Sequence, residues 1–381
     1  MAVHIVETAR TPHGTLLGGF AEKSVVELGA IALRALHERA DLSVDHVFVG
    51  QAIQAAVGQV PGRQSVVEAG YPVETPVTTI NEASGSGVSA IHRAFDYLNA
   101  GRGDVVVAGG QESMTNAPFA VPDYRTGVRY GDQTLRDTMI YDALWDVSYD
   151  AHMGELTEGL VEEAGLSRER QDQYAVESNR RAAEAIDAGR YDAEIVPVET
   201  SEGVVDRDEG PRPNTTVTRL GELPPAFKQD GTIHAGNASK LSDGAGFVTL
   251  VSDDGLGDRE ALCQVADVAT AYRDPKDFNK AVAAATEKLL DQNDLSVDDV
   301  DRFELNEAFA AQMVYVMDRV EIPHEKLNPD GGAVAFGHPI GASGGMLPAS
   351  LAYAMRRDDL SRAVVGMSVG GGGGVVALLE R

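Results

Sequence analysis

Apolar residues along the chain recur with two different periods. At Leu28, Ile31, Ala32, Ala35 and Leu36 they fall three and four positions apart, which places them on one face of an amphipathic helix. Ala281 to Leu290 carries similar spacing and predicts a second such helix. Val105-Val-Val-Ala-Gly-Gly110 is instead a continuous apolar run, as expected of a strand buried on both faces. Ala363-Val-Val-Gly-Met-Ser368 reads the same way, and Ala245–Val251 and Val375–Leu379 complete the strand set.

These elements come in pairs. Asp41-Leu-Ser-Val-Asp-His-Val47 recurs as Asp294-Leu-Ser-Val-Asp-Asp-Val300, each copy lying between an amphipathic helix and a strand. Ser86-Gly87 is expected to open one helix and Ser343-Gly344 another, at nearly the same offset. The apolar runs at 105–110 and 363–368 repeat that offset again. A constant spacing across three elements argues for two similar α/β halves, 1–250 and 251–381, each a sheet flanked by helices. The first half is longer by an insertion from about Pro118 to Ile233, in which Leu166 to Ala188 predicts capped, exposed, charge-rich helices.

Composition narrows the function classes. With 381 residues, 43% hydrophobic and 41 glycines, the chain is expected to be a globular α/β protein. No apolar run reaches the roughly 18 residues needed to cross a bilayer. Met1–Arg10 lacks the regions of a signal peptide, so a cytoplasmic location is expected. Net charge is −27, from 59 acidic against 32 basic residues among which lysine is scarce. That surface resembles those of proteins from salt-loving organisms and lacks the basic stripe a nucleic acid would need. The single cysteine, Cys263, excludes an intrachain disulfide and a cysteine-built zinc site; in an apolar strand it reads as a small buried hydrophobe.

The chemistry concentrates at Ile80-Asn-Glu-Ala-Ser-Gly-Ser-Gly-Val-Ser-Ala90. Ser84 precedes Gly-Ser-Gly and a helix, where backbone N–H groups and the helix dipole converge and favour a developing oxyanion. A serine there also has a plain reading as a helix cap. His338 lies in a glycine-lined turn, Gly337-His-Pro-Ile-Gly-Ala-Ser-Gly344, where an imidazole is held at a fixed angle. Five glycines at 370–374 precede a strand and read either as backbone crowding at a site or as a flexible tail.

Together these motifs resemble the thiolase superfamily over essentially the whole chain. The turn at Ser84 is similar to V-N-x-x-C-x-S-G, with serine in place of the reactive cysteine. Gly109-Gly-Gln-Glu-Ser-Met114, His152-Met-Gly154, Gly236-Asn-Ala-Ser239, Ser242-Asp-Gly244, Asn306-Glu-Ala-Phe309, Gly331-Gly-Ala333 and Ser368-Val-Gly-Gly-Gly372 follow in the family's order. The resemblance implies a duplicated fold of layered α-β-α-β-α architecture with an inserted loop domain. It implies Ser84 as nucleophile and His338 as its general base, since an imidazole pKa of about 6.5 suits proton transfer. Asn306 with a water and His338 would form one oxyanion hole, the N–H groups of Ser84 and Gly370 the other, and Ser368 stands at the second acid/base cysteine. His152, Met153, Phe227 and Ser239 stand where thiolases contact the pantetheine arm of coenzyme A, although Phe227 also reads as a core aromatic.

Three departures qualify that reading. Both cysteines are serines, and a hydroxyl needs a base in contact where a thiol does not. His234 stands where the family has threonine, so it, or His152, is a candidate second histidine. Lys276–Ala281 replaces a Gly-Pro-rich turn, and Pro224 replaces an arginine, leaving Arg219 or Lys228 to meet a coenzyme A phosphate. The leading expectation is an acetyl-CoA C-acetyltransferase or β-ketothiolase-like enzyme working through an acyl-serine. It would need no metal or redox cofactor, act on acyl-CoA substrates, and bind neither nucleic acid nor membrane. A homodimer or homotetramer is expected, and a small accessory subunit of the kind found with some archaeal relatives is an additional expected partner. The rival readings are a non-catalytic acyl-CoA-binding subunit and, ranked last because Asn306 stands where those enzymes carry histidine, a ketoacyl synthase relative.

Overall fold

The computed structural model describes residues 2–122, 124–127 and 130–381. Met1 of the opening segment, and Asp123, Val128 and Arg129 of the expected insertion, lie outside the described residues. The first amphipathic pattern forms the helix Val25–Ala40, started by a reciprocal cap in which the Ser24 side chain accepts from Glu27 N and the Glu27 carboxylate accepts from Ser24 N. Leu28, Ala32 and Leu36 are fully buried, with Ile31 and Ala35 half-buried at the flanks. Its counterpart is Phe278–Gln292. Each of the paired Leu-Ser-Val segments leads into a strand, His46–Gly50 and Arg302–Leu305.

One mixed sheet of ten strands runs through the molecule in the order Arg302–Leu305, Arg362–Val369, Gly373–Glu380, Cys263–Tyr272, Val3–Arg10, Ser242–Ser252, Val105–Ser113, His46–Gly50, Val77–Ile80, with Gly14–Thr15 beside Ser242–Ser252. Among the described residues its halves join only where Val3, His4 and Ile5 pair with Val265, Gln264 and Cys263. Alternation along the strands separates the layers. Ala377 and Leu379 face a central core with Ala90, Ile91, Ala349 and Ala352, whereas Val376 and Leu378 face the helices Phe278–Gln292 and Ala310–Val320. In the other half Val106 and Ala108 face the centre, and Val107 faces the helix Val25–Ala40. The result is the layered α-β-α-β-α arrangement, with helices Ser86–Asn99 and Ile340–Arg357 between the half-sheets.

The two central helices touch at the repeated Ser-Gly pairs. A Cβ on Gly87 would stand 2.5 Å from Gly344 C and Gly345 N, and one on Gly344 would stand 2.3 Å from Val88 N. Glycine is required there because backbone meets backbone. The second helix starts at Ile340, one turn earlier than expected, so Ser343 and Gly344 lie inside its first turn.

The insertion differs from expectation. Instead of exposed helices, Arg168–Asp187 is a single helix capped by Ser167, with Gln171, Tyr174, Ala175, Ser178 and Ala182 buried. Small and polar residues make up much of that face, so its apolar signal was weak, and side-chain hydrogen bonds from Gln171, Tyr174 and Ser178 anchor it instead. Cys263 is buried as expected, with its thiol pushed up to about 12 by burial. Among the described residues no helix is long and apolar enough to cross a membrane.

Candidate active site

Ser84 sits between the strand Val77–Ile80 and the helix Ser86–Asn99. The reversal is tight: Ala83 has φ 47°, in the left-handed region that an alanine occupies only when its surroundings hold it there. Ser86 Oγ secures the turn by donating to Ala83 O at 2.6 Å and accepting from Glu82 N at 2.9 Å. Gly85, not Ser84, is the N-cap residue, and no side chain caps the helix. The Ser84 hydroxyl is therefore free of the capping role and lies 3.1 Å from His338 Nε2.

His338 follows the short helix Ala333–Phe336 through Gly337, whose φ of 111° is open only to glycine. A Cβ there would also fall 1.8 Å from Ser242 Oγ. Its backbone N donates to Lys240 O at 2.9 Å, and its Nδ1 lies 2.6 Å from Ser343 Oγ, which donates to Pro339 O. With Nδ1 protonated toward Ser343, Nε2 is the acceptor facing Ser84. Burial pushes the imidazole down to about 3, with His13 adding to the shift, so the ring is neutral.

Asn306 leaves the strand Arg302–Leu305 and is held by its N–H on Gly366 O at 2.9 Å. Its Nδ2 approaches His338 Nε2 to 3.4 Å. The adjacent Glu307 is buried and accepts from Tyr174, Ser178, Asn328 and Val334 N, tying the inserted helix to this turn. Ser368 is buried on the strand Arg362–Val369; among the described residues no hydrogen bond joins it to Ser84 or His338. Gly370 begins the turn that follows, and a Cβ on it would lie 3.4 Å from Ala83 Cβ, so its backbone borders the Ser84 turn.

The remaining predicted residues form a second group. His152 stacks on Phe227 with ring centroids 4.8 Å apart, and Phe227 meets Phe309 edge-on at 6.1 Å. Phe227 is half-buried over Gly154 rather than enclosed in the core. Met153 is buried, and Ser239 N donates to Ala308 O at 3.0 Å, joining this group to Asn306-Glu-Ala-Phe309. Lys228 is paired with Glu162, and Arg219 donates to Asn214 O at 3.1 Å.

The candidate second histidines do not reach Ser84. His234 is buried with Nε2 2.8 Å from Asp172 Oδ1 and Nδ1 accepting from Gly236 N. His152 Nδ1 accepts from Gly154 N as a helix cap. The imidazole near His338 is His13, which the sequence reading passed over; its Nδ1 lies 2.8 Å from Asp208 Oδ1 and its ring stacks on Phe336 at 5.5 Å. Its only sequence signal was an ionisable residue in the tight Arg10-Thr-Pro-His-Gly14 segment. Ser343 was also missed, although it lies in the His338 motif.

Glu112, in the Gly109–Met114 motif, braces this arrangement. Its carboxyl oxygens accept from Ala52 N, Ile53 N and Gly341 N, the last at 2.9 Å in the first turn of the helix that follows His338. Burial pushes its carboxyl up to about 8.

Comparison with known proteins bears on the family and the fold. Residues 3–254 match the N-terminal domain of thiolase and residues 259–381 its C-terminal domain. An acetyl-CoA acetyltransferase of Pseudomonas aeruginosa is 41% identical over 390 residues, covering 100% of this chain and 99% of that one. A probable acetyl-CoA acetyltransferase of Escherichia coli is 40% identical with 100% and 99% coverage. The crystal structure of the Bacillus anthracis acetyl-CoA acetyltransferase superposes with a TM-score of 0.96 at 35% identity, covering 100% of this chain and 98% of that one. With both domains matched, relatives aligned from end to end, and the serine turn facing the histidine turn across the paired helices, the chain belongs to the thiolase family.

Proposed function

We propose that the chain is an acetyl-CoA C-acetyltransferase that condenses acetyl-CoA with acetyl-CoA or propionyl-CoA to a 3-oxoacyl-CoA, or cleaves that product by thiolysis, through an acyl-Ser84 intermediate. The observation that carries this reading is the 3.1 Å approach of Ser84 Oγ to His338 Nε2 on a turn whose hydroxyl caps nothing. Ser84 gives its proton to Nε2 as its oxygen attacks the thioester carbon, and His338 returns the proton to the departing coenzyme A thiolate. The N–H groups of Ser84 and Gly370 hold the tetrahedral oxyanion; the closeness of Gly370 to Ala83 supports that role. Asn306, with a water and His338, holds the enolate oxygen of the second acyl-CoA. His152, Met153, Phe227 and Ser239 receive the pantetheine arm.

A neutral hydroxyl is a weak base, so the α-proton of the second substrate goes to His338 Nε2, free again once coenzyme A has left, and the Nε2–H so formed then donates to the enolate oxygen. Ser368→Ala tests the remaining group: adduct formation stays intact, and slower condensation in the variant would give Ser368 a part in the second half-reaction.

Intact and peptide mass after incubation with acetyl-CoA or acetoacetyl-CoA tests the central claim. An acetyl adduct on the Ser84 peptide, absent from Ser84→Ala, is expected. No adduct while coenzyme A remains bound would replace this reading with the non-catalytic acyl-CoA-binding subunit. A salt-adapted cytoplasmic homodimer or homotetramer completes the proposal. Exposed Val60, Val67 and Val73 near the edge strand Val77–Ile80 support self-association, which light scattering measures. Co-purification from the native host tests for a small accessory subunit.

A further inference from the structure

A cavity of about 30 Å³ adjoins the His338 turn, lined by Gly337, Ser343, Asn306, His13, Arg10 and Ser350 among others. A water needs about 10–15 Å³ and two to four polar partners, so this space suits one or two waters. The polar demand extends into the wall. Glu194 has Oε1 held by Arg10 and Ser350, both of which line the cavity, while its buried Oε2 has no partner among the described residues.

Two strings of hydrogen bonds end on this cavity. One runs from Ser84 Oγ to His338 Nε2 at 3.1 Å and from His338 Nδ1 to Ser343 Oγ at 2.6 Å. The other runs from His13 Nδ1 to Asp208 Oδ1 at 2.8 Å and on to Arg10, whose Nη1 and Nη2 donate to the two Asp208 oxygens at 2.8 and 3.1 Å. With Nδ1–H donating to Asp208, His13 Nε2 is an acceptor.

We propose that water in this cavity joins the two strings, and that His13, held by Asp208, is a positioning and proton-relay residue for His338. The inference rests on the acyl-serine reading above. As Ser84 Oγ bonds to the thioester carbon, its proton passes to His338 Nε2. The Nδ1 proton moves to Ser343 Oγ; the Ser343 hydroxyl proton, which rests on Pro339 O, turns into the cavity and passes to the water, and a water proton passes to His13 Nε2. Every intermediate group keeps its proton count, and the positive charge comes to rest against the Asp208 carboxylate. When the thiolate leaves as a thiol, the same shifts run in reverse.

The physical reason is charge placement. Burial lowers both imidazoles, and the Arg10 cation lowers His13 further, but among the described residues only His13 of the two has a carboxylate in contact to oppose the shift. Although burial opposes its ionisation, Arg10 and His13 hold the Asp208 carboxyl well below the usual range, so the counter-charge is always present. A serine nucleophile needs this more than a cysteine would, because its proton must leave during the attack.

The test is the burst of coenzyme A release on mixing enzyme with acetyl-CoA, measured in H2O–D2O mixtures. The wild type should give a bowed plot of rate against deuterium fraction, because several protons move together. His13→Gln and His13→Phe, the latter keeping the stack on Phe336, should slow the burst about tenfold or more with KM unchanged and straighten the plot. Ser343→Ala should do the same, and combining it with His13→Gln should add little. A straight plot for the wild type, or a full-rate burst in either folded His13 variant, would overturn the relay. If both variants fail to fold, the wild-type plot alone decides. A wild type that acylates Ser84 while ignoring His13 removes only the relay; one that never acylates removes the acyl-serine reading with it.

Discussion

A serine in this turn must lose its proton in the act of attack, because a helix terminus that brings a thiol near neutrality leaves a hydroxyl far from it. The base has to be in contact and uncharged beforehand. His338 meets both conditions: its Nε2 is 3.1 Å away, and burial lowers it to about 3. A base with a lowered pKa stays neutral as pH falls. The acylation rate should therefore show no acid limb near pH 6.5 and stay level from about pH 8 to about pH 5 as far as His338 is concerned. A single-turnover pH profile checks this, and a limb centred near 6.5 would mean that the ring titrates as an ordinary exposed histidine. Ser84→Cys extends the argument. A thiol ionises at this helix start without a contact base, so the variant should acylate at least as fast as the wild type. His338→Asn should then slow acylation of the Cys variant less than that of the serine enzyme, where the loss should reach about 10²-fold or more. Stopped-flow release of coenzyme A from the four proteins measures that difference.

At the scale of elements, the site exists because the two central helices cross closely enough to bring their N-terminal turns together. Gly87 sets that distance. Gly87→Ala would gain about 1 kcal/mol of helix propensity but would force a methyl to within 2.5 Å of Gly344 and Gly345 backbone atoms. Overpacking of that kind costs about 1–3 kcal/mol or more, so the clash outweighs the gain. Urea denaturation should show a net loss, and acylation should fall as the His338 turn is pushed from Ser84. Glu112 makes a second element-scale test. Its carboxyl is raised by burial from 4.5 to about 8, so its contribution is fully present below about pH 4.5 and is lost as pH rises through about 8. The slope within that window is about 1.4 kcal/mol per pH unit. Glu112→Gln should lack it, so the stability difference between wild type and variant should shift in the variant's favour between pH 5 and 8 in urea melts. Local signals of this sort were legible in the sequence: the amphipathic face of Val25–Ala40, the buried strands, and the paired Ser-Gly positions whose contact explains the repeat. What escaped notice depended on distant partners. On the buried face of Arg168–Asp187, Tyr174 and Ser178 find their partner in Glu307 and Gln171 Nε2 finds its own in Thr232, both far along the chain. His234 looked free in its segment but is claimed by Asp172, whereas His13 gains its meaning from Asp208, far along the chain.

For the molecule as a whole, the dominant long-range term is the net charge of −27. Two electrostatic effects respond to salt in opposite directions. Exposed ion pairs such as Arg170–Asp318 and Arg180–Glu184 are weakened by screening, but each contributes only about 0–1 kcal/mol. The buried clusters, Arg10 with Asp208 and Glu194, and Arg302 with Glu304 and Asp330, are enclosed and screened much less. Self-repulsion among the unpaired acids acts over the whole surface, since 59 carboxylates face only 32 cationic side chains. Repulsion should therefore win. Raising NaCl from about 0.01 M to about 1 M contracts the Debye length from about 30 Å to about 3 Å, so most of the repulsion should vanish across that range. The melting temperature should rise steeply over it and then flatten. Sucrose separates this from a general strengthening of apolar burial, because it is excluded from protein surfaces without screening charge. An equal rise in sucrose would assign the effect to solvent exclusion. A fall in NaCl would show that the exposed ion pairs, not the excess acid, govern the balance.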